Sequence, residues 1–365
     1  MLEDILEQPE IISSLAKKYF PVNQPLQGLE LNLSMHDIYN LNNIYIVASG
    51  SSRNAGNIVK YFMEHALKLP VIVDYASEFA HRAPAISKND LFIAISQSGE
   101  TADTYSALKI AVSKGAHTIA ITNNPDSKIY RLSQSAIHIE AGKEKSIPAT
   151  KSFIAQLITL YALTMYLGEK RSSVSGERMN RLKKELHATG EAVEEFIENS
   201  AFLDETAKKL SGLKSLAILG RGANHAAAQE GALKIMETSY IDATGYPTGE
   251  FMHGYVAMVD ENAPVLSIIL KDDKNMNYNL CLTNTEEIKK KRNPDLIIIK
   301  SDNDKDIEQR PLLKDSLFLE IPSFSQEISS IFVVVLFQLL ALKIANILNL
   351  DVNNPRSLSK AIENE

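Results

Sequence analysis

Ile95-Ser96-Gln97-Ser98-Gly99-Glu100-Thr101 closes an apolar run at residues 91–95 and opens a helical pattern over residues 101–113. A buried strand that enters a hydroxyl-rich turn and then a helix is half of a parallel βαβ unit. Such a turn offers backbone N–H groups, hydroxyls and the positive end of a helix dipole, which suits phosphate without a basic side chain. The same residues also suit a plain N-cap, with Ser98 or Thr101 closing the first helical turn. A second hydroxyl turn, Gly50-Ser51-Ser52, follows another strand pattern at residues 44–48. In an open α/β sheet both turns converge on the carboxyl ends of the strands, where ligands bind.

Outward from these turns, short β-branched runs alternate with helical stretches. The first half carries predicted strands at 44–48, 71–75, 91–95, 118–121 and 136–139. Predicted helices cover 149–167 and 177–199, separated by a polar turn at 171–176. The second half repeats the plan, with strands at 216–219, 265–270, 296–299 and 317–321 and helices at 224–238 and 326–348. Both halves begin strand, glycine-containing turn, helix: Val47-Ala48-Ser49-Gly50-Ser51-Ser52 and Ile218-Leu219-Gly220-Arg221-Gly222-Ala223. A repeat of half the chain length means duplicated α/β domains with parallel sheets in three αβα layers, not a solenoid. The expected division is a first domain over 1–170 with an N-terminal helical arm, a helical connector over 171–202, a second domain over 203–350 and a tail over 351–365.

Several function classes are disfavoured. Among 365 residues, 45% are hydrophobic and 23% charged, a soluble globular balance. The formal net charge of −7 and the absence of an extended basic cluster argue against a nucleic-acid partner. Lys289-Lys290-Lys291-Arg292 reads as a solvated helix end. Residues 328–342 are apolar but too short to span a bilayer, and they read as a buried core helix. The first residues lack a signal-peptide pattern, and Cys281 is the single cysteine, so a reducing cytoplasm is the expected location. Neither Gly50 with Gly56 nor Gly220-x-Gly222 completes a dinucleotide fingerprint. No His/Cys cluster has metal-ligand spacing, so no metal or cofactor is expected.

Ser-Gln-Ser-Gly-Glu-Thr at 96–101 resembles the sugar-isomerase (SIS) domain family. Tyr75-Ala76-Ser77-Glu78-Phe79, Ala149-Thr150-Lys151-Ser152-Phe153, Gly231-Ala232-Leu233-Lys234, Gly245-Tyr246-Pro247-Thr248-Gly249-Glu250, His253-Gly254 and Pro355-Arg356-Ser357-Leu358-Ser359-Lys360 are similar to the isomerase half of glucosamine-6-phosphate synthases, in order and spacing. The resemblance implies two tandem flavodoxin-like SIS domains that bind a hexose 6-phosphate or amino-sugar 6-phosphate. It implies that Gly50, Ser51, Ser52, Ser96, Gln97, Ser98, Thr101 and Ala149 hold the sugar phosphate, with Lys234 lining the site. Glu237 matches the family's proton-shuttling carboxylate, His253 its ring-opening histidine, and Lys360 the lysine that forms an imine with the ketose. It further implies a homodimer with shared active sites, His253 entering the partner's.

Chemistry supports these roles. Proton transfer between adjacent sugar carbons needs one carboxylate within reach of both, and Glu237 ends an apolar helical pattern where partial burial is expected. Ring opening needs a group that donates and accepts protons near neutrality, as histidine does. Ala149 stands where the synthases tend to have serine, so that sugar contact is lost or left to backbone. Met236, Asp242 and Tyr255 replace a lysine, a histidine and a proline. Cys281 reads as a small buried hydrophobe. The expected reaction is phosphosugar isomerisation or deamination linking glucosamine 6-phosphate and fructose 6-phosphate. The alternatives are a deglycase of 6-phosphorylated sugar–amino acid adducts, a stand-alone synthase isomerase subunit and a non-catalytic sugar-phosphate sensor.

Overall fold

A computed structural model describes residues 1–22, 24–259, 263–272 and 276–359. The chain forms two compact units. The first comprises Glu7–Gly190 and, of the described tail, 357–359; the second comprises Met1–Leu6 and Glu191–Arg356. Helix α1 (Leu2–Leu6) thus groups with the second unit.

The first unit continues with α2 (Gln8–Tyr19) and α3 (Met35–Tyr39), then β1 (Asn43–Ala48), α4 (Gly50–Leu67), β2 (Val71–Tyr75), α5 (Ala76–His81), β3 (Asp90–Ser96), α6 (Ala102–Ser113), β4 (His117–Thr122), α7 (Lys128–Leu132), β5 (Ser135–His138) and α8 (Lys151–Lys170). Its five strands are all parallel, in the order β2-β1-β3-β4-β5. All seven residues of the central strand β3 are buried, as expected when helices cover both faces of a parallel sheet. One face packs Phe79, Phe92, Ala107, Leu108 and Ile129 around α5, α6 and α7, while α4 and α8 pack against each other. Chain order reverses between β1 and β3, with Ala48 paired to Ile95, the topological switch point at which open α/β sheets bind ligands.

Helix α9 (Gly176–Glu198) contains the boundary between the units. The second unit then runs α10 (Asp204–Leu210), β6 (Ser215–Gly220), α11 (Ala223–Ser239), β7 (Asp242–Pro247), α12 (Thr248–Phe251), β8 (Val265–Ile268), α13 (Met276–Arg292), β9 (Leu296–Ser301), β10 (Leu317–Ile321) and α14 (Gln326–Ile347). Its strand order, β10-β9-β8-β6-β7, read from the far edge is the order of the first unit. The two units are therefore a duplication, α/β in class, each a five-stranded parallel sheet.

All nine expected strands are present within a few residues at each end, and β7 is an additional one. Its Asp-Ala-Thr-Gly-Tyr-Pro sequence lacks an apolar run. Gly245 is dictated by packing: a Cβ there would lie 2.5 Å from the Gln229 amide nitrogen on α11. Helix α14 is long and apolar enough to cross a membrane by length and composition, yet 94% of that window is buried in protein. It is a core helix by its burial; at 22 residues it is longer than the apolar run at 328–342 that reads as too short to span a bilayer.

Candidate active site

The turn that decides the fold is held by its own hydroxyls. Ser96, 3% exposed at the end of β3, accepts the Gly99 N–H through Oγ at 3.0 Å and shares a 2.9 Å hydrogen bond with Thr101 Oγ1. Ser98 Oγ accepts the Glu100 N–H at 3.1 Å. Gly99 has φ +69°, and a Cβ there would sit 2.0 Å from Ser127 Oγ, so only glycine fits. Thr101 is the N-cap residue of α6, but its side chain makes no capping hydrogen bond. The plain-cap alternative therefore fails: neither Ser98 nor Thr101 closes the first turn of α6, whose dipole end faces the crevice edge.

Gly50, Ser51 and Ser52 form the first turn of α4, whose N-cap residue Ser49 likewise supplies no side-chain cap. Since β1 and β3 are neighbours, two uncapped helix N-termini of 18 and 12 residues start side by side at the switch point. A third segment, carrying Ala149, is braced by residues the sequence reading passed over. Asn123 donates its N–H to the Gln97 carbonyl at 3.1 Å. Its side chain donates to the Gly142 carbonyl at 2.7 Å and accepts the Ala141 N–H at 3.0 Å, tying the segment after β5 to the phosphate-type turn. Glu144, 4% exposed, accepts the Thr150 N–H at 2.8 Å, the Ser152 N–H at 3.2 Å and the Ser152 hydroxyl at 2.6 Å. Its carboxylate closes the N-terminus of α8. Among the described residues α8 carries an anion at its N-terminus, whereas the N-cap residues of α4 and α6 make no side-chain cap.

The ionisable candidates of the second unit lie on one helix. Glu230, Lys234 and Glu237 follow at i, i+4 and i+7 along α11 and so share a face. Lys234 is fully buried, with Nζ 2.6 Å from Glu237 Oε2 and 3.6 Å from Glu230 Oε1. Glu230 is also fully buried, and the Glu237 side chain keeps 21% exposure. Burial of Lys234 and Glu230 beside the partly exposed Glu237 costs desolvation energy that their mutual attraction must offset. Sequence reading singled out Glu237 and Lys234 but not Glu230; its spacing of i−4 from Lys234 was the available signal. His253 is exposed in the turn after α12, its backbone N–H bonded to the Glu250 carbonyl at 2.9 Å and its ring without a hydrogen-bond partner among the described residues. Lys360 lies outside the described residues. The tail before it is not helical: Asp351 accepts the Asn353 and Asn354 N–H groups, and the Arg356 guanidinium stacks 4.0 Å from the Tyr240 ring centre. Cys281 is buried; burial pushes its thiol pKa up, partly offset by a hydrogen bond with Thr248. A buried protonated thiol is no nucleophile.

Comparisons with known proteins agree with this architecture. The SIS domain family matches residues 37–166 and 209–345. The isomerizing glutamine–fructose-6-phosphate aminotransferase of Chlorobaculum tepidum is 37% identical over 99% of this chain, which spans 58% of that protein's length. The solved C-terminal domain of glucosamine-fructose-6-phosphate aminotransferase from Francisella tularensis superimposes with a TM-score of 0.89 at 31% identity, covering 97% of both chains. Glucosamine-6-phosphate deaminase from Thermotoga maritima shares the fold, with a TM-score of 0.73 at 21% identity over 99% of this chain and 98% of its own. With two matched segments that coincide with the two parallel sheets, the chain belongs to the SIS domain family.

Proposed function

We propose that the chain is a phosphosugar isomerase that interconverts glucosamine 6-phosphate and fructose 6-phosphate plus ammonia. The observation that carries this reading is the buried Lys234 ammonium held 2.6 Å from the Glu237 carboxylate on a helix face shared with Glu230. The uncapped N-termini of α4 and α6 with their hydroxyl turns support a phosphorylated ligand. The likeness to aminotransferase isomerase domains at 31–37% identity supports the hexose 6-phosphate class.

In the deaminating direction His253 passes a proton to the ring oxygen while the C1 hydroxyl loses one, freeing the aldehyde. Glu237 takes the C2 proton, the electron pair shifts toward C1–O1, and O1 is protonated. The same carboxyl returns its proton to C1, leaving an imine at C2. Water then adds to C2 and ammonia departs, giving fructose 6-phosphate. Run backward, ammonia condenses at C2 with loss of water. Lys234 supplies the counter-charge that keeps Glu237 aimed and charged-paired between transfers. Ser96, Gln97, Ser98 and Thr101 with the first turn of α4 hold the phosphate. In this reading the enzyme is a homodimer, with His253 serving the partner's site and Lys360 forming an imine with the ketose.

Ammonia release from glucosamine 6-phosphate, and its incorporation into fructose 6-phosphate, tests the reaction. Hexose 6-phosphates interconverted without ammonia exchange would reduce the reading to a plain aldose–ketose isomerase, and no turnover with tight binding would make it a sensor. Borohydride trapping with fructose 6-phosphate, followed by peptide mapping, tests Lys360: an adduct there supports the imine, and none with Lys360→Ala fully active removes it.

A further inference from the structure

The hydroxyl turns of the first unit are neutral, but an arginine lies beside them. Arg53 belongs to the first turn of α4 with Ser51 and Ser52. Side chains on a helix lean toward its N-terminus, so Arg53 leans toward the edge where those turns lie. Its Cζ is 3.6 Å from the centre of the Tyr75 ring. Its Nε is buried without a hydrogen-bond partner, and its guanidinium forms no hydrogen bond or ion pair among the described residues. Nearby charges are already committed. Asp74 binds Arg82 through Nε at 2.8 Å and through Nη2, and it accepts the Tyr75 N–H at 2.9 Å. Lys128 is 3.2 Å from Glu100. A guanidinium that rests on an aromatic face keeps its in-plane N–H edge for a carboxylate or phosphate, which it meets with two hydrogen bonds.

Strand register places this pair relative to the phosphate-type turn. Ala48 pairs with Tyr75 on one side and with Ile95 on the other, so the ends of β2, β1 and β3 are level. Two strand spacings put Tyr75 about 10 Å across the edge from Ile95, the residue before Ser96. An open-chain hexose with an anion at each end can bridge that separation. The second unit lacks the pair. Gly50 (φ +53°) and Gly222 (φ +59°) open the matching turns, and counting from them His225 stands in place of Arg53. Strand pairing puts Pro247 in place of Tyr75. The stacked pair is thus confined to the copy that carries the hydroxyl turns.

We infer that Arg53, resting on Tyr75, is a second anion subsite beside the phosphate turn. Its ligand is a hexose 6-phosphate that carries a further phosphate or carboxylate at its C1–C2 end. This rests on the reading of the 96–101 turn as the phosphate site.

Calorimetric titration of the full chain tests it with four ligands. Fructose 6-phosphate and glucosamine 6-phosphate carry one anion. Fructose 1,6-bisphosphate and N-carboxymethylglucosamine 6-phosphate add a second, as phosphate at C1 or carboxylate on the amino nitrogen. Wild type should bind at least one of the doubly anionic ligands about 10- to 100-fold more tightly than its parent, the range for a hydrogen bond to a charged group. Which of the two gains identifies the source of the second anion. Arg53→Met should abolish the gain and leave fructose 6-phosphate affinity unchanged. Arg53→Lys, which keeps the charge without the planar fork, should retain only part of it. Combined Ser98→Ala and Thr101→Ala should weaken all four ligands. No gain for either doubly anionic ligand in wild type overturns the subsite without any variant. So does a gain that survives in folded Arg53→Met, or an equal loss of all four ligands there, which would put Arg53 on the 6-phosphate itself. If the double hydroxyl variant weakens none of the four while Arg53→Met still removes the gain, the reading of the 96–101 turn falls and the Arg53 subsite stands.

Discussion

The two units share a strand order and little of their chemistry. The first gathers neutral donors at the carboxyl end of its sheet: Ser51, Ser52, Ser96, Ser98, Thr101 and the amides of two uncapped helices. The second balances that edge with its own carboxylates and places charge on the flank of α11, where Lys234 lies between Glu230 and Glu237. Neutral donors hold a phosphate whatever protons move elsewhere, because they carry no charge to exchange. Paired ionisable groups suit proton transfer, because a small change in their surroundings redistributes a proton. In the proposed function the duplicated fold is divided between holding a ligand and reacting with it, a contrast that substitutions on either side can break.

The largest effect belongs to the reacting half. Glu237→Gln preserves size and hydrogen bonding to Lys234 and removes basicity. Turnover should fall about 10²–10⁴-fold, with sugar-phosphate affinity largely kept. Steady-state kinetics beside equilibrium binding check this, and near-normal turnover would strip Glu237 of its role.

Lys234→Met probes the same face through stability. Removing one member of a buried charged set leaves the others uncompensated and costs about 3–5 kcal/mol. Fully buried Glu230 would then face Glu237 with no ammonium between them. Denaturant unfolding should show the loss, and Lys234→Met with Glu230→Gln should recover part of it. Equal stability of the single and double variants would mean that the three groups do not act as one set.

The holding half should respond in affinity instead. Ser98→Ala and Thr101→Ala should each weaken phosphorylated sugars by about 1.5–3 kcal/mol, the range for a hydrogen bond to a charged group. Unphosphorylated hexoses should be nearly unaffected. Equal losses for both ligands would place the phosphate elsewhere.

The sequence made the holding half easier to read than the reacting half. Strands β3 and β8 are apolar runs bounded by turns, and Ser96–Thr101 is contiguous, so its spacing survives without any tertiary knowledge. The braces were invisible for the opposite reason. Asn123 acts on segments 18 to 26 residues away and Glu144 on residues 6 and 8 positions ahead, and nothing local marks an asparagine or glutamate as such a tie. Strand β7 went unread because Gly245 and Pro247 break its pattern, although Gly245 is there to admit α11. Glu230 lies on the helix already singled out, but its full burial is a product of packing, not of helical period. The N-cap alternative for Thr101 is locally as good as the phosphate alternative; only the hydroxyl's bond to Ser96 decides against it.

The smallest effect concerns Cys281, whose thiol feels the charges of Arg221 and Asp272 with opposite signs. Burial raises its thiol pKa above the ordinary value, and the hydrogen bond to Thr248 and the Arg221 charge only partly counter this. A group with a raised folded-state pKa contributes fully to stability below its unfolded value, about 8.5 for a thiol, and loses that contribution as pH rises toward the folded value. Above that unfolded value the unfolded chain binds fewer protons than the native one, so unfolding becomes easier. The melting temperature of the wild type should therefore fall toward that of Cys281→Ala between about pH 8 and pH 10, where the thiol begins to ionise in the unfolded chain. Labelling by a thiol reagent at pH 8 should be slow in the native protein and complete on unfolding. Asp272→Ser removes the carboxylate that disfavours the thiolate while leaving Arg221, so it should lower the thiol pKa and speed native-state labelling. Labelling unchanged in that variant would mean that the Asp272 charge does not act on the thiol.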